Sequence, residues 1–431
     1  MTSQILTAAD GHNNQATSLR AIIKSAGKSM ADFTVMSGAT DPYRIDTEAN
    51  HRDAKWLAEA WAQCKLTSIH NRGLHYALVS LSGLIKPNGE RYKNTDDDWV
   101  FLQRVSGYAR WLGHLDFDSI TDERNAGPEL YLPPEYDQTG IQVIHDADYL
   151  DMAPTMPEIK ITCQAPHARQ AYRLVLIGEK SSLRTLLRSI CQRFEAELVL
   201  PTGELSTTLL YGIVSRAAAD GRPCRIFYLS DFDPSGIHMP VEVARKIQAL
   251  CDLKFPGLDI ELHRCALLAA QVKELGLPET PLKESERRAD RWRERFQCEQ
   301  TEIDALATLR SETLVTIVER DLAPYFDSTL QKRQTLAFEM AKAKTQGLLG
   351  MAMAPFEQEL VHTQGLIDDA AVRLAAAYRY AMPLFDTIAQ RIECFEPATV
   401  EPDLPGSFAA PLFSSRNSFA VTTAALLGEK L

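Results

Sequence analysis

The chain has 431 residues, 45% of them hydrophobic and 24% charged, with a formal net charge of -11. That length exceeds what one core holds and calls for two domains with accessories, while the composition excludes a fibrous or low-complexity chain and no apolar stretch reaches the length of a membrane span. The acidic sum does not exclude nucleic acid as a partner, because basic residues gathered in one cleft can meet phosphate whatever the total.

The eight cysteines stand singly without a CxxC pair, and the ten histidines form no HExxH cluster. This argues against a zinc ribbon or zincin and for free thiols in a reducing compartment. Residues Met1 to Asp10 lack a basic segment followed by an apolar run, so the expected location is the cytoplasm.

An N-terminal extension, residues 1–47, is polar as far as Ser29 and expected to be partly disordered, with a short helix around Leu19 to Ser25. Gly27-Lys28-Ser29 resembles the end of a P-loop, but the first glycine of that motif would fall on Ile22 and no strand precedes it. Residues 50–64 read as an amphipathic helix carrying Trp56, Leu57 and Trp61 at helical spacing. A helical block follows, Ser68 to Leu84 and Thr95 to Leu112, closing on Asp116 to Arg124. Short helices followed by an extended segment suit a winged helix-turn-helix domain over 48–126. Residues 127–170 contain Pro128, Pro133, Pro134, Pro154, Pro157 and Pro166 and read as a connector, with Ile141 to Ile144 and Ile159 to Ile161 as edge strands.

From 171 to 328 strands and helices alternate. The strands are Leu174 to Ile177, Leu198 to Leu200, Arg225 to Leu229 and Ile260 to Ala266; between them lie helices over Ser181 to Phe194, Ser206 to Ala219 and Ile237 to Leu250. Repeated βα units imply a parallel, Rossmann-like sheet whose ligands bind beyond the strand C-termini. Two acidic features fall at that edge. Glu179 follows the first strand, and Asp231-Phe232-Asp233-Pro234-Ser235-Gly236 follows the third. Carboxylates held there suit a hard divalent cation, although a DxDxxG loop alone also fits a solvated turn. Between Arg169 and Arg193 the chain carries Arg169, Arg173, Lys180, Arg184, Arg188 and Arg193 against one carboxylate, Glu179. Arg184 and Arg188 lie one turn apart and make one helix face positive, which is a DNA contact or a solvated face. Residues 329–395 are rich in Ala, Leu and Met and should add two or three long helices, a cap or a partner surface; residues 396–431 read as an extended arm ending in a helix near Ser418 to Leu427.

The glutamate after one strand and the DxD after a later one resemble the Toprim domain. More narrowly, the chain resembles the A subunit of type IIB topoisomerases (topoisomerase VI) and its meiotic double-strand-break relatives, in the short bacterial and phage versions that lack an ATPase partner. Arg72-Gly73-Leu74-His75-Tyr76 is similar to the R-x-[IL]-Y-Y segment that carries the nucleophilic tyrosine, with His75 in place of the first tyrosine. Thr202-Gly203-Glu204-Leu205-Ser206 resembles the turn after the second Toprim strand, and Glu302-Ile303-Asp304-Ala305-Leu306 the segment that closes the domain. The resemblance spans Ser68 to Asp327 and implies a winged helix-turn-helix domain before a Toprim domain, with a helical extension after it.

It further implies Mg²⁺-dependent cleavage of double-stranded DNA, in a nucleoid-associated homodimer, with Tyr76 as nucleophile and Arg72 steadying the phosphate. Glu179, Asp231 and Asp233 would hold the metal, Glu179 also serving as acid or base, while Lys180, Arg184 and Arg188 would follow the DNA backbone. A separate ATPase subunit is possible; no ATPase motif is visible in this chain. Two alternatives stay open. The carboxylates could serve a hydrolytic nuclease that ignores Tyr76, or the chain could be a non-catalytic DNA-binding subunit. Tyr76 also lies among Leu74, Leu78 and Leu81, as a packing residue would. Tyr92 and Tyr108 read as packing, and Glu302 and Asp304 as a helix start and not a second metal site.

Overall fold

The computed structural model describes residues 35–37, 40–133, 139–146, 156, 158–369, 374–404 and 408–429, so the helix suggested at Leu19 to Ser25 lies outside it. The protein is mixed α/β. It divides into two compact units, the first drawn from the described parts of Met1–Leu132, Tyr172–Pro324 and Ser407–Leu431, the second from Pro133–Ala171 and Tyr325–Gly406. Among the described residues no helix is long and apolar enough to cross a membrane.

The first unit opens with three helices. Helix α1 (Glu48–Cys64) starts where the Thr47 hydroxyl accepts the Asn50 N–H and stops at Lys65 in the left-handed region, φ 54°. A two-residue strand, β1 (Ile69–His70), runs straight into α2 (Asn71–Ser80), whose first turn is capped by the His70 ring. Helix α3 (Asp96–Trp111) carries Asp96, Asp97 and Asp98 in its first turn, where the helix dipole favours anions. Leu57, Leu74, Leu78, Leu102 and Val105 are buried among these helices. Strand β2 (Ile120–Thr121) pairs in parallel with β1, and β3 (Glu129–Leu130) departs toward the main sheet.

After β4 (Gly140–Asp146) and β5 (Glu158–Gln164) of the second unit, the alternation begins: β6 (Arg173–Gly178), α4 (Arg184–Phe194), β7 (Glu197–Val199), α5 (Thr207–Asp220), β8 (Cys224–Leu229), α6 (Pro234–Leu253) and β9 (Ile260–Ala266). Strands β6 to β9 are parallel. Every residue of β6, β7 and β8 is buried, as helices on both faces require. Helices α7 (Ala269–Leu275), α8 (Ala289–Phe296), α9 (Ile303–Leu309) and α10 (Ser311–Leu322) follow; α11 (Leu330–Met353), α12 (Glu357–Asp369) and α13 (Leu374–Gln390) belong to the second unit; β10 (Phe413–Ser414) and α14 (Phe419–Gly428) return to the first.

The sheet order is β10-β9-β8-β6-β7-β3, with the two outermost strands antiparallel to their neighbours. From β6 the chain moves to one side to form β7, then crosses to the other side for β8. The connections therefore diverge between the C-terminal ends of β6 and β8, and that divergence leaves a crevice.

The units do not follow the boundaries suggested by composition. Val35, Met36, Tyr43 and Ile45, within the N-terminal extension, are buried in the sheet's core together with Tyr108, Trp111 and Phe117, so the helical block shares a core with the sheet. Buried Arg245 of α6 anchors this extension by donating from Nε to Asp41, 3.1 Å away. The proline-rich segment is also more than a connector. Its β4 and β5 form an antiparallel hairpin whose Ile159 and Ile161 are buried with Leu349, Ala381, Phe385 and Ile388 of the helical extension.

Candidate metal centre

The Asp231–Gly236 loop is held from every side. Asp233 caps α6 by accepting the Gly236 N–H at 2.5 Å, and Pro234 follows at the first helical position, where its missing N–H costs nothing. A Cβ on Gly236 would lie 2.1 Å from the Asp231 carbonyl oxygen, so the close approach of the backbone requires glycine. Phe232 is buried against Trp292 and Phe296, with ring centroids 4.7 and 5.1 Å apart. Its N–H donates to the Thr301 carbonyl at 2.8 Å, and its carbonyl accepts the Thr301 N–H at 3.0 Å. Arg288 donates to the Pro234 carbonyl at 2.9 Å and the Ser235 hydroxyl at 3.1 Å.

This scaffold sets Asp231 beside Glu179. The Glu179 N–H donates to the Leu229 carbonyl at 2.9 Å, and the Asp231 N–H donates to the Glu179 carboxylate at 3.0 Å, tying the ends of β6 and β8 together. The second oxygen pair is reached from elsewhere in the chain. The Ile303 N–H donates to Asp231 Oδ1 at 2.8 Å, and Lys180 Nζ lies 3.0 Å from Asp231 Oδ2. The same ammonium lies 3.1 Å from Glu302 Oε2 and 3.2 Å from Asp304 Oδ2, and the Ser182 hydroxyl donates to Asp304 at 2.6 Å.

Burial pushes the Glu179 pKa up, reinforced by the charges of Asp231 and Asp233 and opposed by the Asp231 N–H and Lys180. Burial raises Asp231 likewise, against the Ile303 N–H and Lys180. For Lys180 burial works against the charge, but Asp231, Glu302 and Asp304 outweigh it and hold the ammonium firmly protonated.

Of the residues singled out from sequence, the fold thus unites Glu179, Asp231 and Lys180, with Asp233 near enough to act on Glu179 through its charge. Glu302 occupies the N-cap position of α9, without a capping bond from its side chain, and Asp304 lies in the first turn, as a helix start should. What sequence reasoning missed is that both also reach Lys180, and that Arg288 seats the loop. The EIDAL resemblance was the one signal available for the first two; nothing in the sequence pointed to Arg288.

Tyr76 lies elsewhere, on α2, and is 51% exposed, which sets it apart from buried Leu74 and Leu78 beside it. The Arg72 guanidinium lies 5.5 Å from its ring centroid and 5.2 Å from that of Trp99. His75 is buried and bonded through Nδ1 to the Tyr92 hydroxyl at 2.7 Å and through Nε2 to Asn94 at 3.0 Å, so it and Tyr92 are structural. Among the described residues, no hydrogen bond, ion pair or ring contact joins Tyr76 to Glu179, Asp231 or Asp233.

The basic run is largely neutralised from within. Arg173 is buried with Glu197 at 2.6 Å, Arg193 pairs with Glu319, and Glu129 of β3 accepts from Arg184 at 2.6 Å and from Arg188 at 3.0 Å. Lys180 points into the carboxylates and not along an open face, because three acidic side chains converge on it.

No protein-family model matches the chain, and no curated protein matches it. Among the described residues no three His, Cys, Asp or Glu side chains are arranged ready to hold a metal ion. The side chains gathered here are oxygen donors, the type a hard cation takes, and Lys180 supplies the positive charge that relieves their mutual repulsion.

Proposed function

We propose that the chain cleaves DNA with the aid of Mg²⁺, in the manner of the A subunit of topoisomerase VI, through an N-terminal winged helix-turn-helix region and a Toprim domain. The observation that carries this reading is the hydrogen bond from the Asp231 N–H to Glu179, which fixes two acidic residues from neighbouring parallel strands at the divergence point of the sheet. Glu179, Asp231 and Asp233 would hold the cation, which would neutralise charge on the scissile phosphate. Tyr76, exposed beside Arg72, supplies the nucleophile: its phenol oxygen bonds to phosphorus as the bond to the 3′ oxygen breaks, leaving a 5′-phosphotyrosyl link. The phenol proton passes to water, and Glu179, its pKa raised by burial, returns a proton to the 3′ oxygen. Because Tyr76 makes no contact with the carboxylates of its own chain, the reaction calls for a homodimer in which each tyrosine serves the partner's carboxylates.

That same separation favours one other reading, a hydrolytic nuclease in which an activated water replaces Tyr76. Incubation with supercoiled plasmid and Mg²⁺ followed by denaturation should leave protein attached to 5′ ends, and Tyr76→Phe should abolish both cutting and attachment. Undiminished cutting by Tyr76→Phe, together with its loss in Asp231→Asn, would establish hydrolysis instead.

A further inference from the structure

We propose that Lys180 is the resident counter-cation of the carboxylate site, occupying Asp231 until a divalent ion and a DNA phosphate arrive together. This rests on the reading of Glu179 and Asp231 as cation ligands. The ammonium of Lys180 lies 3.0, 3.1 and 3.2 Å from oxygens of Asp231, Glu302 and Asp304, carboxylates that come from two places more than seventy residues apart in the chain. Asp231 Oδ1 already accepts the Ile303 N–H, which leaves Oδ2 the less committed to the backbone, and Oδ2 is the oxygen that Lys180 holds. A divalent ion and the ammonium therefore compete for one oxygen, and two cations in contact there would repel each other.

The lysine side chain is 23% exposed and ends in a flexible stem, so it can swing without disturbing β6. Duplex DNA offers what the ammonium needs once it leaves: a phosphate oxygen in place of a carboxylate oxygen. Handing Lys180 from Asp231 to a phosphate frees Oδ2 for the metal, and the arriving metal in turn expels Lys180 toward the phosphate. Binding of either ligand then favours the other, by the same factor in both directions.

The test uses the full chain and Mn²⁺ as the probe, titrated by calorimetry or by the loss of its free-ion paramagnetic resonance signal, with and without a short duplex. Wild type should bind Mn²⁺ several-fold more tightly when the duplex is present. Lys180→Gln, whose amide can still donate to Asp231, should bind Mn²⁺ more tightly than wild type without DNA and gain little from adding it. Equal affinity of wild type with and without duplex overturns the proposal without recourse to any variant, as does weaker or unchanged Mn²⁺ binding by folded Lys180→Gln. Asp231→Asn separates this from its premise: if that variant binds Mn²⁺ as wild type does, the site itself is misassigned.

Discussion

Among the described glycines, Gly236 is the one at which an added methyl meets the closest atom, so Gly236→Ala should be strongly disruptive. The new Cβ would lie 2.1 Å from the Asp231 carbonyl oxygen, 2.9 Å from its carbon and 3.2 Å from its nitrogen. All three are backbone atoms, so no side chain can rotate away, and relief requires Asp231 or the first turn of α6 to move by more than about 1 Å, given ordinary contact distances near 3.5 Å. Overpacking of this kind costs about 1–3 kcal/mol, and displacing the turn also breaks the bond from the Gly236 N–H to Asp233, a cap whose loss costs about 1 kcal/mol. Alanine's better helix propensity returns up to about 1 kcal/mol, so the net loss should be about 1–3 kcal/mol. Gly107→Ala in α3 is the control, since its Cβ would meet nothing within 4 Å; there the propensity gain should appear alone. Urea unfolding of the two variants followed by circular dichroism should move their midpoints in opposite directions. Gly236→Ala as stable as Gly107→Ala would refute the close-approach argument, and unaltered Mn²⁺ binding by Gly236→Ala would refute the link between that approach and the placement of Asp231.

Other perturbations test different contacts. Arg245→Met should cost about 3–5 kcal/mol, because it leaves fully buried Asp41 without its ion-pair partner; Arg245→Met with Asp41→Asn should recover part of that loss, and thermal unfolding of the single and double variants reads both. Glu179→Gln should raise the melting temperature of the metal-free protein at pH 7. Burial holds the Glu179 pKa above its unfolded value, so the folded state binds the proton more tightly, the charged form opposes folding, and the variant's advantage should shrink as pH falls through the raised pKa toward the ordinary carboxylate range; a pH-independent or negative difference contradicts this. Glu129→Gln should release Arg184 and Arg188 and tighten binding to duplex DNA at low salt, measured by fluorescence anisotropy. Unchanged affinity there would show that this helix face does not meet phosphate.

Most of the sheet was legible because fully buried parallel strands announce themselves. Ile260–Ala266 matches its expected span, and β6 and β8 extend theirs by a residue or two, Arg173 and Cys224 included. Arg173 hid the start of β6 because an arginine reads as surface, yet here it is buried against Glu197. Helix α6 begins at Pro234 and not at Ile237, since proline suits a first helical position that a turn reading assigns to the loop. The acidic edge could be foreseen in Glu179 and Asp231, each one residue beyond an apolar run. Its completion could not, because Lys180 meets Glu302 and Asp304 across some 122 residues of intervening chain, and no local periodicity encodes that encounter. Glu129 hid for a similar reason: β3 is two residues long, too short for alternation to register, but its place beside β7 delivers a carboxylate to Arg184 and Arg188.

The sheet's far edge has a consequence for biogenesis. β10 covers β9 through Phe413 and Ser414, and α14 buries Leu426 in the same core, though the chain leaves this unit at Pro324 and comes back only after residue 406. A ribosome must therefore synthesise Tyr325–Gly406 of the second unit while β9 waits with an open row of backbone donors and acceptors, the kind of edge along which chains associate. A polypeptide cut short before Phe413 would keep every carboxylate of the acidic cluster and still be prone to aggregate, because β9 would lack its β10 neighbour.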